Sequence, residues 1–372
     1  MKINKFKLEE FFAKYEFNVK YSLCSSDCEA FSVKELLDLD KKYRNELETL
    51  RLGYTESYGN PILREEIAKL YEGHNKEDIL IFSGAEEAIF IFMNVLLDKN
   101  DSIIVQFPAY QSLFEVANAI GVRTALWKMI EDDLWDIDLK KLKHNISSNT
   151  KCIVINFPHN PTGFLPTLDQ FEEICKIAQE NRLYVLSDEV YRFLEFKEKY
   201  RLPGMSEIYE KGISLGVMSK AFGLAGLRIG WIATKDKTLL NELASFKNYT
   251  TICNSALSEF FAIIALRNKQ FLLERNLEII EENLSLLDSF FKKYSSIFRW
   301  SKPKAGSIAF PKILIEKNIE EICIDLIKQK NVLLMPATKY DYDNKHFRIG
   351  FGRKNMRKAL EKFEEYVKEN LI

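Results

Sequence analysis

The stretch KCIVINFPHNPTGF, Lys151–Phe164, decides how the chain is read. Cys152, Ile153, Val154 and Ile155 form an apolar run that reads as a buried strand. The run stops in His-Asn-Pro-Thr-Gly, a string suited to neither a strand nor a helix interior. Prolines at 158 and 161 and a glycine at 163 confine the backbone to one path. A path held so tightly at a strand end points to a site built there.

The same grammar extends outward from about residue 78 to about residue 232. DILIF predicts a strand with its core at 79–82, and GAEEAIFIFMNVLL after it a helix. SIIVQF, KCIVINF, LYVL and ISLGVM predict four more strands. TLDQFEEICKIAQENR opens with a Thr167/Gln170 capping box and places Phe171, Ile174, Cys175 and Ala178 on one helical face. Strands alternating with helices predict an α/β domain with a mainly parallel sheet flanked by helices. After Gly230 no glycine occurs until Gly306, and Ser255–Tyr294 reads as one long helix. From about residue 296, short strands in SIAFPKI, NVLLMPA and HFRIGFG alternate with helices, which predicts a smaller α+β domain. The expected division is 33–268 for the large domain, with 1–32 and 269–372 forming the small one.

Totals narrow the function classes. The 372 residues exceed one ordinary core, and 47% hydrophobic content is that of a globular protein. Lys+Arg 53 against Asp+Glu 54 leaves a net charge of −1, so no nucleic-acid partner is expected. Six cysteines in this length are no disulfide scaffold, and Cys24 and Cys28 lack CxxC spacing. Histidines scattered at 74, 144, 159 and 346 predict neither a metal centre nor a histidine-based triad. With no signal peptide and no membrane-length apolar run, the chain is expected to be soluble and cytoplasmic. A strand ending in Asp-Glu also suits a magnesium ATPase, but its GxxxxGK[ST] partner is missing from the sequence. About 30 residues precede the α/β region, so the DNA-binding domain of a ligand-sensing regulator is not expected.

In a parallel sheet, right-handed crossovers bring the carboxyl ends of the strands to one edge, where ligands bind. Five polar or aromatic turns therefore converge: SGAEEA, FPAYQS, HNPTG, SDEVY and SKAFGLAGLR. Lys220 directly follows an apolar strand, where a low dielectric favours a neutral, nucleophilic amine. Asp188 suits a cationic ring nitrogen, and Asn160 and Tyr191 suit a phenolic oxygen. The Gly84–Ala85 helix start and Arg228 suit a phosphate, while Tyr110 offers a face for stacking.

NFPHNPTG, SDEVY and SKAFGLAGLRIGW, in this order, resemble the core signature of the class I/II aminotransferases of fold type I. YTESYGNPILREEIA, SGAEEA, FPAY and FRIGFG also fall in the family's order, so the resemblance covers roughly residues 50 to 353. It implies the cofactor pyridoxal 5'-phosphate, a pyridine carrying an aldehyde, a hydroxyl and a phosphate. By position, it implies that Lys220 forms the internal aldimine and moves the α-proton, and that Asp188 pairs with the ring nitrogen. Asn160 and Tyr191 would bind the ring hydroxyl, Tyr110 the ring face, and Gly84, Ala85, Glu86 and Arg228 the phosphate; Glu86 could act through its backbone N–H alone. Arg348 would clamp the α-carboxylate of the substrate. Tyr54 would reach the phosphate in a neighbouring subunit, which implies a homodimer with shared sites.

The implied reaction moves an amino group from an amino acid to a 2-oxo acid. A lyase or replacement reaction, by β-elimination or cyclisation, would use the same cofactor residues. Three positions depart from the family pattern. Val217 stands where a phosphate-binding Ser or Thr is common, and Ala337 where Gly is usual. YSLCSSDCEAFS replaces a glycine-rich turn that lines the substrate pocket in many members, which assigns the Cys24–Glu29 segment to a specialised substrate. The identity of the donor does not follow from these residues.

Overall fold

The computed structural model describes residues 2–131 and 135–372. Seven strands form the large sheet: Ile79–Phe82, Ser102–Phe107, Arg123–Lys128, Thr150–Asn156, Tyr184–Asp188, Gly212–Val217 and Gly230–Ala233. Across the sheet their order is 79–82, 230–233, 212–217, 184–188, 150–156, 102–107 and 123–128. Only 230–233 runs antiparallel to its neighbours, pairing with 79–82 on one side and 212–217 on the other. The five strands read from the sequence are all present and end on one edge.

Two of the seven strands had no separate signature. Arg123–Lys128 sits at the sheet edge, so its sequence alternates weakly and its residues are largely exposed. Gly230–Ala233 is four residues long and lies inside the LRIGW motif. Interior strands read as continuous apolar runs because helices cover both faces. Ile153, Val154 and Ile155 are fully buried, each contributing roughly 1.5–3 kcal/mol of apolar transfer. The helix Leu168–Glu180 carries the expected capping box and buries Phe171, Ile174, Cys175 and Ala178.

The long helix expected over Ser255–Tyr294 is two helices, Ala256–Arg267 and Lys269–Lys293. Asn268 breaks it, leaving helical geometry at φ −114° and ψ 23°. Its side-chain amide donates to the Ile264 carbonyl at 2.8 Å and the Tyr43 hydroxyl at 3.3 Å. An asparagine amide that satisfies backbone acceptors offers the chain an exit from the helix. Asn carries no such instruction by residue type alone, so the break escapes a periodicity reading.

Beyond the large sheet, both chain ends meet. Tyr21–Ser22 pairs in parallel with Val332–Leu333. Ile308–Ala309 and Met335–Pro336 flank Phe347–Gly350 as antiparallel strands, and Phe298–Arg299 pairs with Lys312–Ile313. The helix Lys7–Tyr15 buries Leu8 and Phe11, and Gln111 accepts from the Lys7 backbone N–H at 2.9 Å, which ties the helix to the large-sheet side. No helix among the described residues is long and apolar enough to cross a membrane.

One close approach couples the sheet to the site. A Cβ at Gly230 would lie 2.6 Å from the Gly84 carbonyl carbon and 2.8 Å from the Ala85 nitrogen. Both are backbone atoms and cannot swing aside. Gly230→Ala is therefore expected to cost about 1–3 kcal/mol, read as a lower urea midpoint of the cofactor-free protein.

Candidate active site

Asn156 ends its strand by joining three elements. Its backbone N–H donates to Gln106 Oε1 at 3.0 Å, and its Nδ2 donates to the Asp188 carbonyl at 2.8 Å. Its Oδ1 accepts from the Asn160 backbone N–H at 2.6 Å. His159 completes the loop: Nε2 donates to the Pro108 carbonyl and Nδ1 accepts from the Thr162 hydroxyl, both at 2.8 Å. Burial lowers the His159 pKa to about 3, so the ring is a neutral brace. The constrained path after the strand thus delivers Asn160, 7% exposed, to the carboxyl edge of the sheet.

A cavity of about 530 Å³ opens on that edge. Of the residues predicted for the site, it is lined by Ala85, Glu86, Tyr110, Asn160, Asp188, Tyr191, Lys220, Arg228 and Arg348. Gly84 caps the helix Ala85–Leu96 beside it. Tyr54 is not among the lining residues; it is 93% exposed at a separate depression shared with Cys253 and Leu257. A single chain offers it no contact with the cavity, so the expectation for Tyr54 depends on a second subunit.

The Lys220 amine donates to the Ser26 hydroxyl at 2.8 Å. Burial lowers its pKa, with Asp27 opposing that shift. Asp188 accepts from the Val190 backbone N–H at 3.2 Å, and burial raises its carboxyl to about 7. The buried Tyr191 hydroxyl has no hydrogen-bond partner among the described residues. Gly84 adopts φ +90°, and a Cβ there would meet Arg228 Nη2 at 2.7 Å, so glycine lets the guanidinium close over the helix start. Arg228 itself is exposed, and among the described residues its side chain donates only to the Ala225 carbonyl, at 3.2 Å. The Ser112 hydroxyl donates to the Glu86 carboxyl, and burial raises that carboxyl to about 7.

Arg348 is 1% exposed and is held by neutral oxygens. Its Nε and Nη2 donate to the Cys24 carbonyl at 3.1 and 2.9 Å, and its Nη1 donates to the Tyr340 hydroxyl at 2.6 Å. A buried guanidinium held only by neutral oxygens keeps its charge free to pair with an anion. Asn160 Oδ1 accepts from the Tyr340 hydroxyl at 3.0 Å, so it belongs to this network as well as to the strand-end loop. The Tyr110 ring lies 4.9 Å from Phe6 at a 52° tilt, and its hydroxyl donates to Glu9 at 2.8 Å.

Several lining residues had no motif of their own: Phe6, Glu9, Phe12 and Glu16 from the N-terminal segment, and Arg353. Ser219 adds a hydroxyl beside Val217, where the family's usual Ser or Thr is missing. Ser26 and Asp27 lie in the segment singled out for its unusual sequence, and that oddity was their signal.

Pyridoxal phosphate fits these residues. The unpartnered Tyr191 hydroxyl, the Asp188 carboxyl awaiting a cation and the Gly84 turn facing Arg228 match its hydroxyl, ring nitrogen and phosphate. The Asp188 shift also gives a stability test without cofactor. An acid raised from 3.8 to about 7 stays protonated in the fold while the unfolded chain ionises, so its contribution to stability falls as pH rises between those values. Asp188→Asn is expected to raise the melting temperature of the cofactor-free protein, with a larger gain at about pH 8 than at about pH 5. A gain independent of pH would contradict this assignment.

Comparison with known proteins gives the same picture. The family model "Aminotransferase class I and II" matches residues 19–363. A crystal structure of a pyridoxal-phosphate-dependent aminotransferase from Streptococcus suis superposes with a TM-score of 0.94 at 32% identity, covering 99% of both chains. A probable aspartate aminotransferase of Methanocaldococcus jannaschii is 27% identical over 368 residues, 94% of this chain and 95% of its own length. The structure of the pyridoxal-phosphate-dependent cyclase OrfR is similar at a TM-score of 0.90 and 25% identity, covering 99% of this chain and 98% of its own. With its mainly parallel sheet, its strand-end cavity and a family match across most of its length, the chain belongs to the pyridoxal-phosphate-dependent class I and II aminotransferases.

Proposed function

We propose that Lys220 is the residue on which this chain's transfer of an amino group from an amino acid to a 2-oxo acid turns. The observation that carries the assignment is convergence: Lys220, Asp188, Tyr191, Arg228 and Arg348 line one cavity. When bound, pyridoxal phosphate supplies an electron sink for negative charge at the substrate α-carbon. The chain's own residues do the rest. Arg348 receives the α-carboxylate and orients the α-carbon. Burial favours the neutral Lys220 amine, which takes the α-proton on Nζ and later returns one. Asp188 would pair with the ring nitrogen, Tyr191 would hold the ring hydroxyl, and the Gly84 turn with Arg228 would hold the phosphate.

The chain is further proposed to work as a cytoplasmic homodimer. The large unit would span 33–268 and the small one 1–32 with 269–372, a division supported by the pairing of Tyr21–Ser22 with Val332–Leu333. Leu52 and Tyr54 are 74% and 93% exposed, and with Leu257 they line one depression that a second copy could cover. Sedimentation should give twice the 43.4 kDa chain mass, and Tyr54→Asp should shift it toward monomer. A monomeric wild type would end the shared-site reading.

The likeness to a cyclase keeps a second reaction in view, in which the same residues serve ring closure or elimination. An absorption spectrum with a donor panel separates the two. A visible band should be present in the wild type and lost in Lys220→Ala. Amino transfer to 2-oxoglutarate is the expected outcome, whereas stoichiometric ammonia release would favour elimination. A protein that takes up no pyridoxal phosphate would refute both.

A further inference from the structure

The cavity contains more acid than amino transfer needs. Glu9, Glu16 and Asp27 line it beside Arg353. Asp27 engages Arg353 at two points, accepting from Nε at 3.1 Å and from Nη2 at 2.9 Å. That ion pair neutralises the second guanidinium and leaves Arg348 as the free receptor for a carboxylate. Glu9 accepts from the neutral Tyr110 hydroxyl, and burial raises the Glu16 carboxyl while the nearby charges of Arg353 and Arg348 oppose that shift without a direct ion pair among the described residues. Phe6, Leu8 and Phe12 from the same segment give the cavity an apolar wall. Tyr191, 1% exposed, lines the same cavity, so the acids border the space that opens onto the cofactor residues.

These features select for charge. A dicarboxylic donor would have to displace Asp27 from Arg353 and then bring its second carboxylate near Glu9 and Glu16. A neutral donor would leave the half-buried Glu16 carboxyl without a direct ion-pair partner, its burial offset only in part by the more distant Arg353 and Arg348. A cationic group at the end of a methylene stem would pass the aromatic wall and meet both carboxylates.

We propose that the amino donor carries a cationic side chain, an ammonium or guanidinium on a methylene stem, read by Glu16 and Glu9 while Arg348 holds its α-carboxylate. The proposal rests on the aminotransferase reading above. It makes Glu16 and Glu9 specificity residues and places the Cys24–Glu29 segment in the same role through Asp27, which keeps Arg353 from receiving an acidic side chain.

The test uses the cofactor-loaded wild type with ornithine, lysine, arginine, norvaline, aspartate and glutamate as donors. A basic donor should exceed norvaline and both dicarboxylates in kcat/KM. Glu16→Gln should lower the ornithine-to-norvaline ratio by about tenfold, and Glu9→Gln should lower it further in combination. A wild type that prefers aspartate or glutamate overturns the proposal and leaves amino transfer standing. So does an ornithine-to-norvaline ratio unchanged in the double variant. A second measurement needs no turnover: equilibrium binding of 5-guanidinopentanoate, which lacks the α-amino group, against glutarate. Tighter binding of the guanidino acid, weakened in Glu16→Gln, supports the proposal even if every donor fails to react, an outcome that would instead sink the aminotransferase reading. Equal or weaker binding than glutarate overturns it.

Discussion

A buried carboxyl and a buried amine share one cavity, and the structure is arranged around keeping both there. Asp188 is raised and Lys220 lowered in pKa by the same burial, so each is displaced toward its neutral form. Such a pair needs a rigid frame, because a flexible one would relax by admitting water. The frame is the set of parallel strands whose ends Asn156 joins, through Gln106, Asp188 and Asn160. Burial thus leaves a carboxyl and an amine, both shifted toward neutrality, in one cavity.

Around this frame the charges fall into two sets. On the sheet side, Arg228 closes over the Gly84 turn, and a glycine at 230 lets that turn press onto the sheet. On the opposite side, Arg348 is held by neutral oxygens while Asp27 pairs with Arg353. Two guanidinium groups of the same chemical type therefore have different availability. Their partners decide it: a carbonyl leaves a cation free to receive a carboxylate, and a carboxylate does not.

The large sheet and the motif residues were legible because each depends on neighbours close in sequence. A buried strand is a local apolar run, and the residue after it is delivered to the edge by chain geometry. Thr167 and Gln170 announced their helix for the same reason. The exceptions also have physical causes. Arg123–Lys128 is an edge strand with little apolar signal, and Asn268 ends a helix through an amide contact with Tyr43, 225 positions away. Tyr54 is 93% exposed and away from the cavity, so nothing within one chain gives it a place in the site.

What the sequence by itself determined is the chemistry of the strand ends: the lysine, the aspartate, the asparagine loop and the phosphate turn lie in motifs whose order carries the family. What only the tertiary structure decided is the company they keep. Glu9 and Glu16 look like ordinary helix-surface acids until the segment is packed across the cavity, where Tyr110 donates to Glu9 from 101 positions away. Asp27 and Arg353, 326 positions apart, become an ion pair because both chain ends enter the same small sheet region. Local propensity carries no information about such pairs; their charges meet only when the whole chain is packed.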